Sequence, residues 1–281
     1  MKYALTAALL AATSTIAFAQ EEVDAPSYRP VPAENLVIMT LESGEVVFEL
    51  NDDFAPGHVE QFSGLVSDGT YDGEAFYRVI DGFVAQGGLA DDRVEAYPTL
   101  TNENDRAMSE EGFTPLGNAD LFAPEVGHMG GFPVGRNAEA DLEWLLHCPG
   151  ALAMARGNDP DSGSTEFYVV LDAQRYLDRN LTVFGRVLSG MEHIQALHRG
   201  DPAIAGGVIQ EPEVGDTIVS VQMASDIPEE ERPNWEVMIT GSEAFEAFKT
   251  SKRVRNEEFF YRHPPEILDI CSHAVPAREV E

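Results

Sequence analysis

The sequence predicts a mainly β protein, and three observations point that way. Short apolar runs bounded by turn residues recur along the chain, at 35–41, 45–50, 75–80, 83–85, 182–187 and 217–223, as strands do. Two of them flank Asp81-Gly82, a strong hairpin signal because Gly accepts the positive φ of a tight turn. Stripes at helical spacing are few, the clearest opening at Ala55-Pro56 and at Ser242.

In chain order, residues 1–19 read as a secretory signal peptide. Lys2 supplies the basic start, an apolar run follows, and Ala17-Phe18-Ala19 is a small-x-small cleavage site. The run is broken at 13–15 and is short for a membrane span. The expectation is therefore a periplasmic or secreted protein whose mature chain has no membrane insertion. Without Lys2 the 18 basic residues become 17 against 49 acidic ones, so the formal charge moves from −31 to −32. That acidity argues against nucleic acid, whose phosphates need basic partners. With 43% apolar residues the chain can bury a full core.

Residues 20–34 carry Pro26, Pro30 and Pro32 without periodicity and read as an extended leader. Runs 35–41 and 45–50, joined through Ser43-Gly44, form a first hairpin. Ala55-Pro56 then opens a helix of about ten residues whose Val59, Phe62 and Val66 share a stripe. A long insertion occupies 89–149. It is rich in Asn, Glu, Asp, Gly and Pro up to Arg136, and Asn137 is then in place to cap a short helix through Leu146. His128, alone among glycines, reads as structural. The insertion is either a surface elaboration or a wall extending a groove. Runs on either side of the loop GNDPDSGST form the next strands, 182–187 another, 191–197 a short helix and 217–223 a final strand. Composition shifts after 226. The appendage 227–281 holds a strand at 234–240 and a helix at 242–256, with Glu243 and Glu246 first and Lys252, Arg253 and Arg255 last, as the helix dipole favours. Its Phe245 and Phe248 need a surface to cover.

The stretch YDGEAFYRVIDGFVAQGG, 71–88, holds the chemistry. Arg78 is a permanent cation inside an apolar run and must reach solvent, a carboxylate or a ligand. A two-residue turn would place Arg78 and Phe83 on one face and Gln86 on the other.

FYRVIDGFVAQGG resembles the active-site hairpin of the cyclophilins, the peptidyl-prolyl cis/trans isomerases. GALAMARGNDPDSGSTEFYVVL (150–171) resembles that family's second active-site segment, and YLDRNLTVFGRVLSGM (176–191) its closing strand and helix. The resemblance runs from about Asn35 to Ala224 in the family's order, broken by the insertion. It implies a closed antiparallel β-barrel of about eight strands capped by two helices over 35–226, to which the insertion and the C-terminal α/β appendage are added. It implies that Arg78 is catalytic and that Phe83, Val84, Tyr168 and Leu177 line a proline pocket. Gln86 would orient Arg78 or the substrate carbonyl, which calls for a turn at Asp81 wider than two residues or bulged. The Ala155–Arg156 backbone would hold the peptide, and Glu166 would line the pocket. Glu166 stands where the family usually has glutamine, Tyr77 replaces the histidine before the arginine, Leu181 replaces another histidine, and Tyr176 holds a frequent tryptophan position. A Glu166–Arg78 ion pair is expected from their charges.

Isomerisation of an X–Pro bond faces a barrier of about 18–20 kcal/mol. Lowering it takes a pocket for the ring and a donor that stabilises the prolyl nitrogen as it pyramidalises. No cofactor and no metal are required, and Arg78 offers a charged planar fork. The expected partners are proline-containing polypeptide clients, met by a monomer. Two other readings stand beside this one. A weakly catalytic or non-catalytic peptide-binding chaperone would have Glu166 neutralising Arg78. A metal-binding envelope protein would use His147, Cys148, Cys271 and His273. Finally, Cys148 and Cys271 are the only two cysteines, and in an oxidising compartment they are expected to pair, the alternatives being buried thiols or an intermolecular bridge.

Overall fold

The computed structural model describes residues 27–89 and 92–280. The signal-peptide reading and the leader up to residue 26 lie outside them. Nine antiparallel strands form one sheet in the spatial order Ala75–Phe76, Asp216–Met223, Leu36–Leu41, Gly44–Leu50, Val183–Ser189, Ala151–Met154, Phe167–Val170, Val84–Gly87 and Arg78–Val79. The two outermost strands are separated in sequence by Tyr77 alone, so the sheet curls into a nearly closed barrel whose seam is one residue wide. The count is nine and not eight because the chain turns at Tyr77 and splits one strand in two.

The alternating pattern of each strand sends its apolar half inward. The helix Pro56–Ser67 closes one end, with proline at its first position, where the missing N–H costs nothing. Its Phe62 is fully buried and lies 5.1–5.6 Å, ring to ring, from Tyr71, Phe167 and Phe184. Aromatic side chains at such spacing give a core more than their area alone. The short helix Met191–Gln195 packs over the strand Gly44–Leu50.

The insertion differs from its sequence reading. It is a five-stranded sheet in the order Arg106–Ala107, Leu142–Leu145, Phe132–Asn137, Glu125–Met129 and Phe113–Pro115. The helix expected at 137–146 is the second half of a hairpin, with Asn137 opposite Leu142 and Val134 opposite Leu145. Asn137 Oδ1 does accept the N–H groups of Glu139 and Ala140, at 3.1 and 3.2 Å, but it organises a turn that ends at Asp141 with φ 54°. Asparagine gives the same signal before a turn as before a helix. The deciding pattern is alternation: Leu142, Trp144 and Leu146 join one cluster, while Leu145 joins the cluster beneath the barrel. Glu143 is buried because Arg106 and Arg136 hold its two oxygens at 2.7–2.9 Å.

The leader also becomes more than extended chain. Tyr28–Pro30 pairs with Asn234–Met238, which pairs in turn with Ala277–Val280, so both ends of the described chain enter one small sheet. The helix Glu243–Arg253 begins at Ser242, whose hydroxyl accepts the Phe245 N–H at 3.2 Å, and stops short of Arg255. Phe245 is fully buried with Val31, Leu36, Val47, Trp235 and Val237. Cys148 and Cys271 form a disulfide, with Cα atoms 4.8 Å apart. The bridge does not hold the appendage alone: the Phe245 cluster and the bonds from Lys249 and Arg253 to the carbonyls of Pro115 and Leu116 hold it too. Among the described residues, no helix is long and apolar enough to cross a membrane.

Candidate active site

The hairpin sets Arg78 directly across from Gln86 and Val79 across from Ala85. A three-residue loop makes this possible. The Ile80 N–H donates to the Val84 carbonyl and the Phe83 N–H to the Ile80 carbonyl, both at 3.0 Å, while Gly82 takes φ 67°. Directly opposed residues share a face of the sheet, so the wider turn puts the guanidinium and the amide side by side. Arg78 Nη1 donates to Gln86 Oε1 at 3.2 Å and Nε to the Gly206 carbonyl at 2.9 Å. The guanidinium lies 5.6 Å from the centre of the Phe83 ring. Among the described residues, its Nη2 has no hydrogen-bond partner.

In front of Arg78 is an open groove of about 170 Å³, lined by Arg78, Phe83, Val84, Gln86, Ala155, Arg156, Tyr168, Leu177 and Leu181. Eight of the nine substrate-site candidates are therefore gathered there. Leu181 belongs with them; the sequence marked it as a departure from the family but not as a groove residue. Its wall is kept apolar by turning polar atoms outward. Tyr168 is buried, and its hydroxyl meets His147 Nε2 at 2.9 Å, while His147 Nδ1 faces Asp178 Oδ1 at 3.2 Å. Burial raises the tyrosine's pKa well above its ordinary value. Asp178 is in turn held by Arg175 at 2.6 Å. His147, at the end of the insertion, is thus a support for the groove that sequence reasoning missed, and only its place before Cys148 drew notice there. Arg156 folds onto the carbonyls of Gly157 and Asn180 at 2.7–3.0 Å. The Ala155 N–H is already given to the Glu166 carbonyl at 2.8 Å, so any hold on a peptide backbone falls to the other backbone groups of the Ala155–Arg156 pair.

Glu166 is the ninth candidate, and its placement corrects two expectations. It stands behind Gln86, outside the groove lining, and makes no ion pair with Arg78. Its Oε2 accepts from Gln86 Nε2 at 3.0 Å, and the Tyr77 hydroxyl lies beside it. Gln86 Nε2 also reaches the Tyr77 oxygen at 2.6 Å. Gln86 is opposite Tyr168 in the sheet, which brings Glu166 up to Gly88. Burial raises the pKa of Glu166, an effect its two hydrogen bonds oppose. Burial, with the neighbouring Glu166 charge, pushes Tyr77 up as well. With Glu166 one residue removed from Arg78, the ground for a neutralised guanidinium falls away. The metal-site reading fares no better. Cys148 and Cys271 are bonded to each other, and His147 is engaged by Tyr168 and Asp178. Among the described residues, no three His, Cys, Asp or Glu are placed to hold a metal ion.

The fold and site are thus a nearly closed antiparallel barrel and, on it, a groove in which an arginine faces an apolar wall. Residues 36–223 match the family model "Cyclophilin type peptidyl-prolyl cis-trans isomerase/CLD". A probable peptidyl-prolyl cis-trans isomerase of Brucella suis biovar 1 (strain 1330) is 32% identical over 195 residues, 69% of this chain and 84% of that one. Peptidyl-prolyl cis-trans isomerase B of Bacillus subtilis (strain 168) is 32% identical over 162 residues, 57% of this chain and 89% of that one. The crystal structure of cyclophilin AquaCyp293 from Hirschia baltica superposes with a TM-score of 0.72 at 28% identity, covering 90% of this chain and 93% of that one. The chain belongs to the cyclophilin-type peptidyl-prolyl cis-trans isomerase family.

Proposed function

We propose that the protein isomerises X–Pro bonds in polypeptides that are folding outside the cytoplasm, with Arg78 as the catalytic residue. The observation that carries this is the hold on Arg78. Two of its nitrogens are pinned by Gln86 and the Gly206 carbonyl, and Nη2 remains for a ligand beside the apolar wall of Phe83, Val84, Tyr168 and Leu177. A prolyl ring seated on that wall would bring its nitrogen toward the guanidinium. Donation to the nitrogen lone pair grows stronger as conjugation with the carbonyl is lost, so the contact favours the twisted state over either planar isomer. No bond is made or broken, and no proton need be transferred. The paired cysteines, and a beginning that reads as an export signal, support a setting in which clients fold under oxidising conditions. Catalysis of a proline tetrapeptide, coupled to an isomer-specific protease, tests the reading. Clear acceleration by wild type that is lost in Arg78→Ala supports it. Peptide binding without acceleration would instead identify a non-catalytic binder.

A further inference from the structure

We infer that Tyr77 and Glu166 are positioning residues that lock the Gln86 amide with its oxygen toward Arg78, and so deliver the guanidinium to the substrate; the inference rests on the isomerase reading above. A glutamine amide has two ends, and either can be turned either way at almost no steric cost. Here each end faces a group with a single choice. Arg78 can only donate and an ionised carboxylate can only accept. The three contacts of the amide, to Arg78 Nη1 at 3.2 Å, Glu166 Oε2 at 3.0 Å and the Tyr77 oxygen at 2.6 Å, use its oxygen once and both of its hydrogens. The Tyr77 hydroxyl, which accepts one amide hydrogen, is left to offer its own hydrogen to the neighbouring Glu166 carboxylate. Only one orientation of the amide satisfies both Arg78 and Glu166. Reversing the amide would face N–H to N–H at Arg78 and oxygen to oxygen at Glu166.

The fold brings these groups together from two places. Tyr77 is the residue at the barrel seam, between Ala75–Phe76 and Arg78–Val79. Glu166 immediately precedes the strand Phe167–Val170. Gly88 lets Glu166 come close to the strand of Gln86: with φ 108°, a Cβ there would lie 2.7 Å from the Thr165 carbonyl oxygen and 3.1 Å from Glu166 Cα. Positions 77 and 166 are both departures from the usual cyclophilin pattern of histidine and glutamine, and in this chain both accept from the same amide nitrogen of Gln86. An amide at 166 could counter-rotate with Gln86. A carboxylate removes that freedom.

The lock needs Glu166 ionised. The titratable and charged groups around it are Tyr77 from the seam and, through Gln86, Arg78 from its strand. Gln86 and Gly88 are neutral, and Tyr168 on Glu166's own strand turns away to His147. Burial sets the carboxyl's pKa above its ordinary value, so the lock, which needs the carboxylate, opens as pH falls at a higher pH than an exposed glutamate would require.

The test follows the isomerisation of a proline tetrapeptide at equilibrium by NMR exchange, which needs no protease and can be run down to acid pH. Glu166→Gln mimics the protonated acid. Its kcat should be about three- to tenfold below wild type at pH 7, with KM within about twofold, and it should be flat with pH. Wild-type kcat should fall on acidification to the same plateau. Tyr77→Phe should also lower kcat, and adding it to Glu166→Gln should cost less than its effect alone, since the two act as one unit. A Glu166→Gln enzyme at or above wild-type kcat, or one with the wild-type pH profile, overturns the inference. Wild-type rates in Arg78→Ala would instead sink the isomerase reading beneath it.

Discussion

Arg78 is held by two contacts and faces the groove with a third nitrogen, so its removal should cost chemistry and leave the core untouched. Arg78→Ala is expected to lower kcat/KM by about 10²-fold or more, as loss of a preorganised donor does, with an unchanged circular dichroism spectrum. Arg78→Lys should restore little, because one ammonium cannot reach both Gln86 and the Gly206 carbonyl while also meeting the substrate. Rates within threefold of wild type in either variant would contradict the role. At this scale the groove could be read in advance, since Phe83, Val84, Gln86, Tyr168 and Leu177 sit within recognisable motifs. What could not be read was the direction of side chains outside them. Glu166 and Arg78 have opposite charges, yet the strand Val84–Gly87 and the amide of its Gln86 lie between them, and no spacing in the chain announces that. His147 was equally hidden, because its partner Tyr168 is a hydrophobic groove residue in every respect but its hydroxyl.

The first barrel helix, Pro56–Ser67, shows how an element can depend on a distant one. Its opening residue Ala55 provides no side-chain cap. The insertion supplies one: Glu103 accepts the N–H groups of Gly57 and His58 at 3.0 Å each, and the His58 ring nitrogen Nδ1 at 2.6 Å. A carboxylate at a helix N-terminus satisfies open donors and the dipole together. Glu103→Ala should therefore destabilise the protein by about 1–2 kcal/mol, the usual worth of a cap, as measured by urea unfolding; a change under about 0.3 kcal/mol would show the contact to be incidental. Elements were readable where one period dominated. Val59, Phe62 and Val66 gave this helix, and the Asp81-Gly82 loop gave the hairpin. The segment 137–146 misled because four apolar residues in five positions fit a helix stripe as well as a strand. Alternation between two apolar clusters decided it, with Glu143 buried against two arginines, and those are tertiary facts.

For the whole molecule, the barrel, the insertion and the appendage meet around buried polar groups. His128 is one of them. It packs edge-on to Phe245, 5.1 Å between ring centres, and burial, with Arg186 and Lys249 nearby, lowers its pKa to about 3. The folded protein thus holds the ring neutral while the unfolded chain would protonate it near 6.5. The stability this gives is complete above about pH 6.5 and is lost progressively as pH falls toward 3. The urea midpoint should accordingly drop between pH 7 and pH 4, and His128→Leu should flatten that slope; an identical slope would assign the acid sensitivity elsewhere. The disulfide closes the same junction across 123 residues of sequence. Cys271→Ser is expected to cost about 3–5 kcal/mol on chain-entropy grounds, while turnover of a tetrapeptide stays within twofold of wild type, since neither sulfur borders the groove. Loss of turnover with stability intact would mean that the bridge shapes the site. The barrel was foreseeable from three ordered motifs. The union of leader, insertion and appendage was not, because its strands are short and their partners lie far away in sequence.

The small sheet at the chain ends also imposes an order of assembly. Tyr28 is paired with Met238, 210 positions later. A chain made from its N-terminus presents its first strand long before the second exists, and the outer strand Ala277–Val280 comes last of all. By then every residue of the barrel, 36–223, has been made. Until residues 234–238 are made, Arg29, which in the finished fold shares Glu49 with Arg186, lacks the strand opposite it. The strand Tyr28–Pro30 therefore waits for a partner that is made only after the whole barrel.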